Sequence, residues 1–369
     1  MKRHKLWILS VILIISLLLI AGCVSSPSSP ASPEAPEGAE EPEGSDKEAT
    51  MEPVELKLAH FWPANHFIET EVVKTWKEEV EKATDGLVTV TSYPGETLLG
   101  ADAIYDGVAE GIVDLGISFF SYTRGRFPVI ELLELPGISY NNAEAATEVI
   151  WEFIQKMNPE EIQDTKVMFA GSAGLAHLST KAPVRTLEDL QGMENRTTGA
   201  SALPMTALGG VPVSMPMSEA YESLSKGIVQ GILGPASPLS TWKLAEVVDY
   251  VTITPFIYTA TFFFTMNLDT WNSFPPDIQD AILDINEKIF KEKVVSLFEN
   301  DDKAGLQYGI DQEGLEIIEL SPEETDRWLD ILNAVREENI AAAEEKGLPG
   351  NEAADLIVEL ADKYNEIYK

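Results

Sequence analysis

The stretch VELKLAHFWPANHFIETEVVKTWKEEVEKATDGLVTVTSY, residues 54–93, decides the fold class. Its first seven residues alternate Val54, Leu56 and Leu58 with Glu55 and Lys57, the period of a half-buried strand. Residues 66–84 then place Val72, Val73, Trp76, Val80 and Ala83 at helical spacing, and Asp85-Gly86 stops the run. LVTVTSY (87–93) predicts a second strand, with Pro94-Gly95 as its turn. Outward from there the alternation continues, with a helical pattern over 101–110 and a buried strand in DLGISFF, 114–120. Strands separated by helices imply an α/β fold, with a largely parallel sheet covered on both faces.

The same grammar recurs downstream. KVMFAG (166–171) is strand-like, Thr186 with Asp189 makes a capping-box helix closed by Gly192, and another helix starts near Ser218. TITPFIYTATFFFTMNL (252–268) is too rich in threonine and phenylalanine for an ordinary helix and predicts one long strand. Three helices close the chain. The first follows Pro275-Pro276 with Ile278, Ile282, Ile285 and Ile289 on one stripe. The second begins Ser321-Pro322-Glu323-Glu324, and the third spans 351–368 with Ile357, Ala361, Tyr364 and Tyr368 inward. No repeat of solenoid period is evident.

Composition narrows the function. The 369 residues hold 61 Asp+Glu against 26 Lys+Arg, a net charge of −35. Such acidity argues against nucleic acid as a partner and against adsorption to anionic lipid, both of which need a basic surface. A single cysteine, Cys23, excludes an internal disulfide framework and any multi-thiolate metal site. Four histidines are too few to suggest imidazole-cluster catalysis, and no cofactor or metal is expected. No HExxH, Walker loop or dinucleotide fingerprint occurs.

The amino terminus reads as an address. Residues 1–22 run from Lys2, Arg3 and Lys5 through the apolar stretch Leu6 to Ala21, the pattern of a secretory signal peptide and short of a membrane span. Ile20-Ala21-Gly22-Cys23 resembles the lipobox of bacterial-type lipoproteins, which implies cleavage before Cys23 and a lipid on its sulfur; an uncleaved anchor is the alternative. Loss of three basic residues deepens the charge from −35 to −38. Residues 23–50, rich in Ser, Pro, Ala, Glu and Gly, cannot bury enough surface to fold and predict a disordered stalk. The expected location is extracytoplasmic, lipid-anchored to the membrane.

Three stretches carry a family resemblance: YPGETLLGADAIYDGVAEGIVDLGIS (93–118), VRTLEDLQGMENR (184–196) and GGVPVSMPMSEAYESLSKGIVQGILGP (209–235). In content and spacing they resemble the solute-binding subunits of tripartite ATP-independent periplasmic (TRAP) transporters, the dicarboxylate-binding-protein family, over roughly 54–369. The resemblance implies a two-lobed periplasmic-binding-protein-like fold with a central cleft, hinge strands and a long bracing helix. Residues 51–173 plus 260–300 would form lobe I and 174–259 plus 301–369 lobe II. The run at 252–268 stands where the hinge strand belongs, and 276–298 where the brace belongs. The implied work is capture of an organic acid and its delivery to small and large membrane permease subunits, without enzymatic chemistry.

The resemblance also nominates a ligand site. Arg196 matches the arginine that forks onto the substrate carboxylate, a task suited to a planar cation that keeps its charge when desolvated; a structural ion pair is the competing role. Asn195-Arg196-Thr197 is also a glycosylation sequon, accidental if this strand end lines a cleft. Gly234 stands where many members have asparagine, which leaves room for a bulkier ligand. Met217 matches an apolar wall position. Phe119 and Tyr122 at one strand end, and Phe61 and Trp62 at another, are wall or core aromatics, with Trp242 a weaker candidate. His177 stands where some members carry a second arginine and offers one neutral hydrogen bond instead. Lost cations and added aromatics point to a monocarboxylate with an apolar or aromatic body.

Two alternatives share the pattern. The same fold could hand its ligand signal to a sensor or receptor. AGSAG (170–174), with His177 nearby, is a near match to the nucleophile elbow of an exported serine hydrolase, but Ala170 replaces the first glycine.

Overall fold

The computed structural model describes residues 51–369; the expected signal peptide, Cys23 and the expected stalk lie outside the described residues. Among the described residues, eleven strands form two sheets. β1 (Val54–His60), β2 (Val88–Tyr93), β3 (Leu115–Phe119), β4 (Thr165–Leu175) and β10 (Thr259–Asn267) make the first, in the order β2-β1-β3-β10-β4. β5 (His177–Thr180), β6 (Glu194–Thr197), β7 (Val211–Ser214), β8 (Gly231–Gly234), β9 (Tyr250–Ile253) and β11 (Glu316–Glu319) make the second, in the order β11-β9-β5-β8-β6-β7.

The deciding stretch folds as its pattern requires. Leu56 and Leu58 are buried while Glu55 and Lys57 face solvent. β1 lies between β2 and β3, parallel to both. The intervening helix opens with one wide turn, Ile68–Val73, and continues as Lys74–Ala83, with Val72, Val73, Trp76 and Val80 buried.

The sheets are mixed rather than uniformly parallel, because the chain crosses between them twice. β4 runs out of the first sheet directly into β5 of the second, and β9 returns to β10. The crossing segments pair antiparallel to each other in both sheets, β4 with β10 and β5 with β9. The expected single strand over 252–268 is therefore two strands in different sheets. Pro255, lacking an amide hydrogen, lies in the break between them. At the other crossing, Gly174 has φ +104°, and a Cβ there would sit 2.1 Å from Asp302 Oδ2, so both backbone and space require glycine.

One helical run spans both sheets. Pro276–Ile289 passes through a wide turn at Phe290–Val294 into Val295–Tyr308. Ile278, Ile282, Ile285 and Ile289 are all buried, as the stripe predicts. Trp76 Nε1 donates to Asn286 Oδ1 at 2.6 Å on the first-sheet side. Further along, Asp302 Oδ1 accepts the Ser237 amide at 2.7 Å on the second-sheet side. The run thus braces both halves. Helix Pro322–Glu345 begins on Ser321, whose hydroxyl accepts the Glu324 amide, with proline in the first turn. The last helix, Gly350–Ile367, lies against Ala143–Met157 beside the first sheet.

β4 extends four residues past the predicted 166–171, and AGSAG is part of it. Ser172 is buried, and its hydroxyl shares a 2.6 Å hydrogen bond with that of Thr259. A nucleophile elbow needs a strand-to-helix turn with an exposed hydroxyl. Ser172 has neither.

Candidate functional site

Between the sheets lies a cleft lined by side chains from both halves, mostly apolar and aromatic with a few polar groups, the make-up of small-molecule sites. It opens at the carboxyl ends of the parallel strands, where α/β sheets offer backbone groups and loop side chains to ligands. Phe61 and Trp62 follow β1, Phe119 ends β3 and Tyr122 follows it, Arg196 is on β6, and Gly234 ends β8. With Met217, all seven line the cleft.

Phe61 and Trp62 stack with centroids 3.9 Å apart, and Phe119 and Tyr122 meet edge to face at 5.2 Å. Phe61 also meets the Tyr122 edge at 5.4 Å and lies parallel to Trp242 at 6.3 Å. The aromatic wall is therefore mutually packed from both halves, fixing ring faces before any ligand arrives.

Arg196 is the charged exception in this apolar setting. It is 3% exposed. Nε donates to the Met215 carbonyl at 3.0 Å, and Nη2 donates to the Tyr122 hydroxyl at 3.3 Å. A guanidinium has five N–H donors, so three remain without an acceptor among the described residues, and no carboxylate there pairs with it. Burying a cation without a counter-charge is costly, and the free donors have the geometry to pair with an anion bearing two oxygens.

Tyr122 serves Arg196 rather than only forming wall. Its hydroxyl oxygen accepts from Arg196 Nη2 and, at 3.2 Å, from the Met217 amide. Both lone pairs are thereby engaged, leaving the O–H proton to be donated elsewhere. Burial pushes this hydroxyl above the usual tyrosine range, against the opposing pull of Arg196, so it stays protonated and able to donate.

Two other expectations resolve differently. Asn195 is fully buried, with its side-chain nitrogen donating to the Met193 carbonyl, so the sequon offers no surface for a glycan. His177 is not in the cleft wall. It sits on β5 opposite Gly234, and its Nδ1 accepts the Thr254 amide at 3.1 Å. Burial lowers its pKa to about 4. Its partner is the backbone of a sheet crossing, a structural arrangement that sequence spacing does not reveal.

The cleft also includes residues that sequence reasoning passed over: Thr198, Ser237, Tyr258, Phe298 and His66. The Tyr258 and Thr198 hydroxyls are 2.9 Å apart. Tyr258 was hidden inside the aromatic run, and its only signal was the proline three residues before it. Phe298 comes from the brace, where phenylalanine reads as core.

A cleft between two sheets, crossed twice by the chain and lined by a buried cation with no carboxylate partner among the described residues, has the form of a solute-binding site. Residues 58–342 match the profile of the bacterial extracellular solute-binding protein family 7, DctP, and the chain belongs to that family. It is similar to the C4-dicarboxylate-binding periplasmic protein DctP of Rhodobacter capsulatus, with 26% identity over 79% of this chain and 87% of that one. Among solved structures it resembles a TRAP solute-binding protein from Rhodoferax ferrireducens T118 in complex with copurified benzoate. That match has TM-score 0.79 and 27% identity over 86% of this chain and all of the other. It also resembles a marine metagenome TRAP solute-binding protein specific for aromatic acid ligands, in complex with 3-hydroxybenzoate. There the TM-score is 0.79, with 26% identity over 85% of this chain and 99% of that one. The protein is a TRAP solute-binding protein of the extracytoplasmic class, a binding subunit rather than an enzyme. Proteins of this class bind small organic acids and work with membrane permeases. Among the described residues, no helix is long and apolar enough to cross a membrane.

Proposed function

We propose that this protein captures a monocarboxylate with an apolar or aromatic body and delivers it to its permease. The observation that carries this reading is Arg196: buried, without a carboxylate partner among the described residues, and with three donors to spare beside aromatic walls. Arg196 clamps the carboxylate, Tyr122 adds a donor, and Phe61, Trp62, Phe119 and Met217 hold the body of the acid. Gly234 keeps one wall open. Among the described residues, Arg196 is the only Lys or Arg in the wall, which favours one carboxylate over two. The benzoate and aromatic acids bound by two similar proteins support the same choice.

Capture proceeds by closure of two lobes, built from strands before and after the crossings at 175–177 and 253–259. The reading includes a lipid anchor on Cys23 and a flexible stalk over 24–50, so that the binding unit works at the membrane face outside the cytoplasm.

A thermal-shift screen of the full chain against aromatic monocarboxylates, succinate and neutral amides tests the ligand class. A ligand at a hundredfold excess over its Kd stabilises by about 2.7 kcal/mol. Aromatic acids should raise the midpoint and the amides should not. Equal shifts from acids and amides, or shifts from succinate alone, would contradict the proposal.

A further inference from the structure

We propose that His66 reads the end of the ligand opposite its carboxylate, selecting acids that carry a hydroxyl or carbonyl oxygen there. The inference rests on the monocarboxylate reading above.

The aromatic ladder sets the position. From Arg196, the contact passes to the Tyr122 hydroxyl, from the Tyr122 ring to Phe61, and from Phe61 to Trp62. The Trp62 ring then lies 5.7 Å from the ring of His66. His66 is thus separated from the cation by three aromatic rings that themselves line the cleft, and it lines the cleft too. Arg196 and His66 line the same cleft, so a planar acid with its carboxylate on Arg196 can turn another edge toward the imidazole.

The chemistry follows from one backbone bond. The Ile68 amide donates to His66 Nδ1 at 3.2 Å. An amide always donates, so Nδ1 carries no proton, and in the neutral ring the proton must sit on Nε2. The ring is neutral because burial, helped by His60, lowers its pKa to about 3. His66 is only 5% exposed, wedged between Trp62 and Phe67. Nε2 has no hydrogen-bond partner among the described residues, yet it is not among the sealed orphan atoms of the interior. The result is a fixed, uncharged N–H that can only donate. It complements an acceptor oxygen and gives nothing to an ammonium group. An unsubstituted ring leaves that donor unpaired, and sites built around a buried donor discriminate against ligands lacking the acceptor.

Titration calorimetry on the full chain with benzoate, 3-hydroxybenzoate and 4-hydroxybenzoate tests this. Wild type should bind at least one hydroxybenzoate about five- to tenfold more tightly than benzoate, the worth of one hydrogen bond. His66→Asn keeps an acceptor for the Ile68 amide and withdraws the Nε2 donor, so the ratio should fall to about one. His66→Gln reaches the Nε2 position and should retain the ratio. Should the Asn variant fail to fold, the 15N resonance of wild-type His66 Nε2 reads the same contact, moving with the hydroxybenzoate and not with benzoate. Benzoate binding with no hydroxyl preference, or a preference that survives His66→Asn, overturns the role of His66 alone. If none of the three acids binds wild type, the monocarboxylate reading fails and this inference fails with it.

Discussion

Arg196 donates to the hydroxyl of Tyr122 at 3.3 Å, joining a strand of the second sheet to the loop that follows β3 in the first. The same oxygen accepts the Met217 amide. The cation, the wall and the two halves of the protein therefore meet at one phenolic oxygen.

Removing that oxygen tests the link. Tyr122→Phe keeps the ring and strands the Met217 amide and one Arg196 donor, and a buried donor without a partner costs about 1–3 kcal/mol. Urea unfolding should report a loss of about 2 kcal/mol, and benzoate affinity should fall about tenfold. An unchanged affinity would mean that Tyr122 is wall only.

Gly234 offers a steric test. A Cβ built there meets nothing nearer than Ile232 carbons at 3.8 Å, so a side chain fits at this cleft-lining position without straining the backbone. Gly234→Asn should leave the melting midpoint within a few degrees. Benzoate affinity should drop at least tenfold, while a smaller acid such as propionate loses less. Equal losses for both acids would show that Gly234 does not set ligand size.

Glu134 makes stability depend on pH. Burial pushes its carboxyl up to about 8, even though it accepts the Thr261 amide at 2.8 Å on the crossing strand β10. Asp302, behind Ser237, is likewise raised to about 8 by burial. For both, the folded pKa lies above the unfolded one, so between about 4 and 8 the folded state holds more protons and stability falls as pH rises. The lowered pKa values of His66 and His177 act in the opposite direction, costing stability only as pH falls below about 6.5. From pH 6.5 to 8 the carboxyls therefore dominate, at about 1 kcal/mol per pH unit each. Glu134→Gln should flatten the urea-derived stability curve over that interval. A slope identical to wild type would show that Glu134 is already ionised.

Much of the fold was legible because its signals are local. Alternation in 54–60, the helical stripe of 276–289 and the cap at Ser321 each depend on near neighbours in the chain, and each forms as read. The crossing was harder: 252–268 has uniform strand composition, and only Pro255 marks where the chain changes sheets. Seven of the residues picked from motif position and strand ends line the cleft, since strand ends in this fold face it. His177 misled because its partner, the Thr254 amide, is distant in sequence. His66 was passed over because the tautomer that makes it a donor depends on a backbone bond, and no sequence pattern records that bond.

The central claim is that a buried guanidinium without a carboxylate partner selects a carboxylate. Titration calorimetry of benzoate and benzamide into wild type and Arg196→Met addresses it directly, because benzamide keeps the shape and removes the charge. Truncating one partner of a buried charge pair costs about 2–5 kcal/mol. The account predicts that wild type binds benzoate at least a hundredfold more tightly than benzamide, and that Arg196→Met loses that advantage. Benzoate binding of wild-type strength in Arg196→Met, or benzamide binding equal to benzoate in wild type, would contradict it.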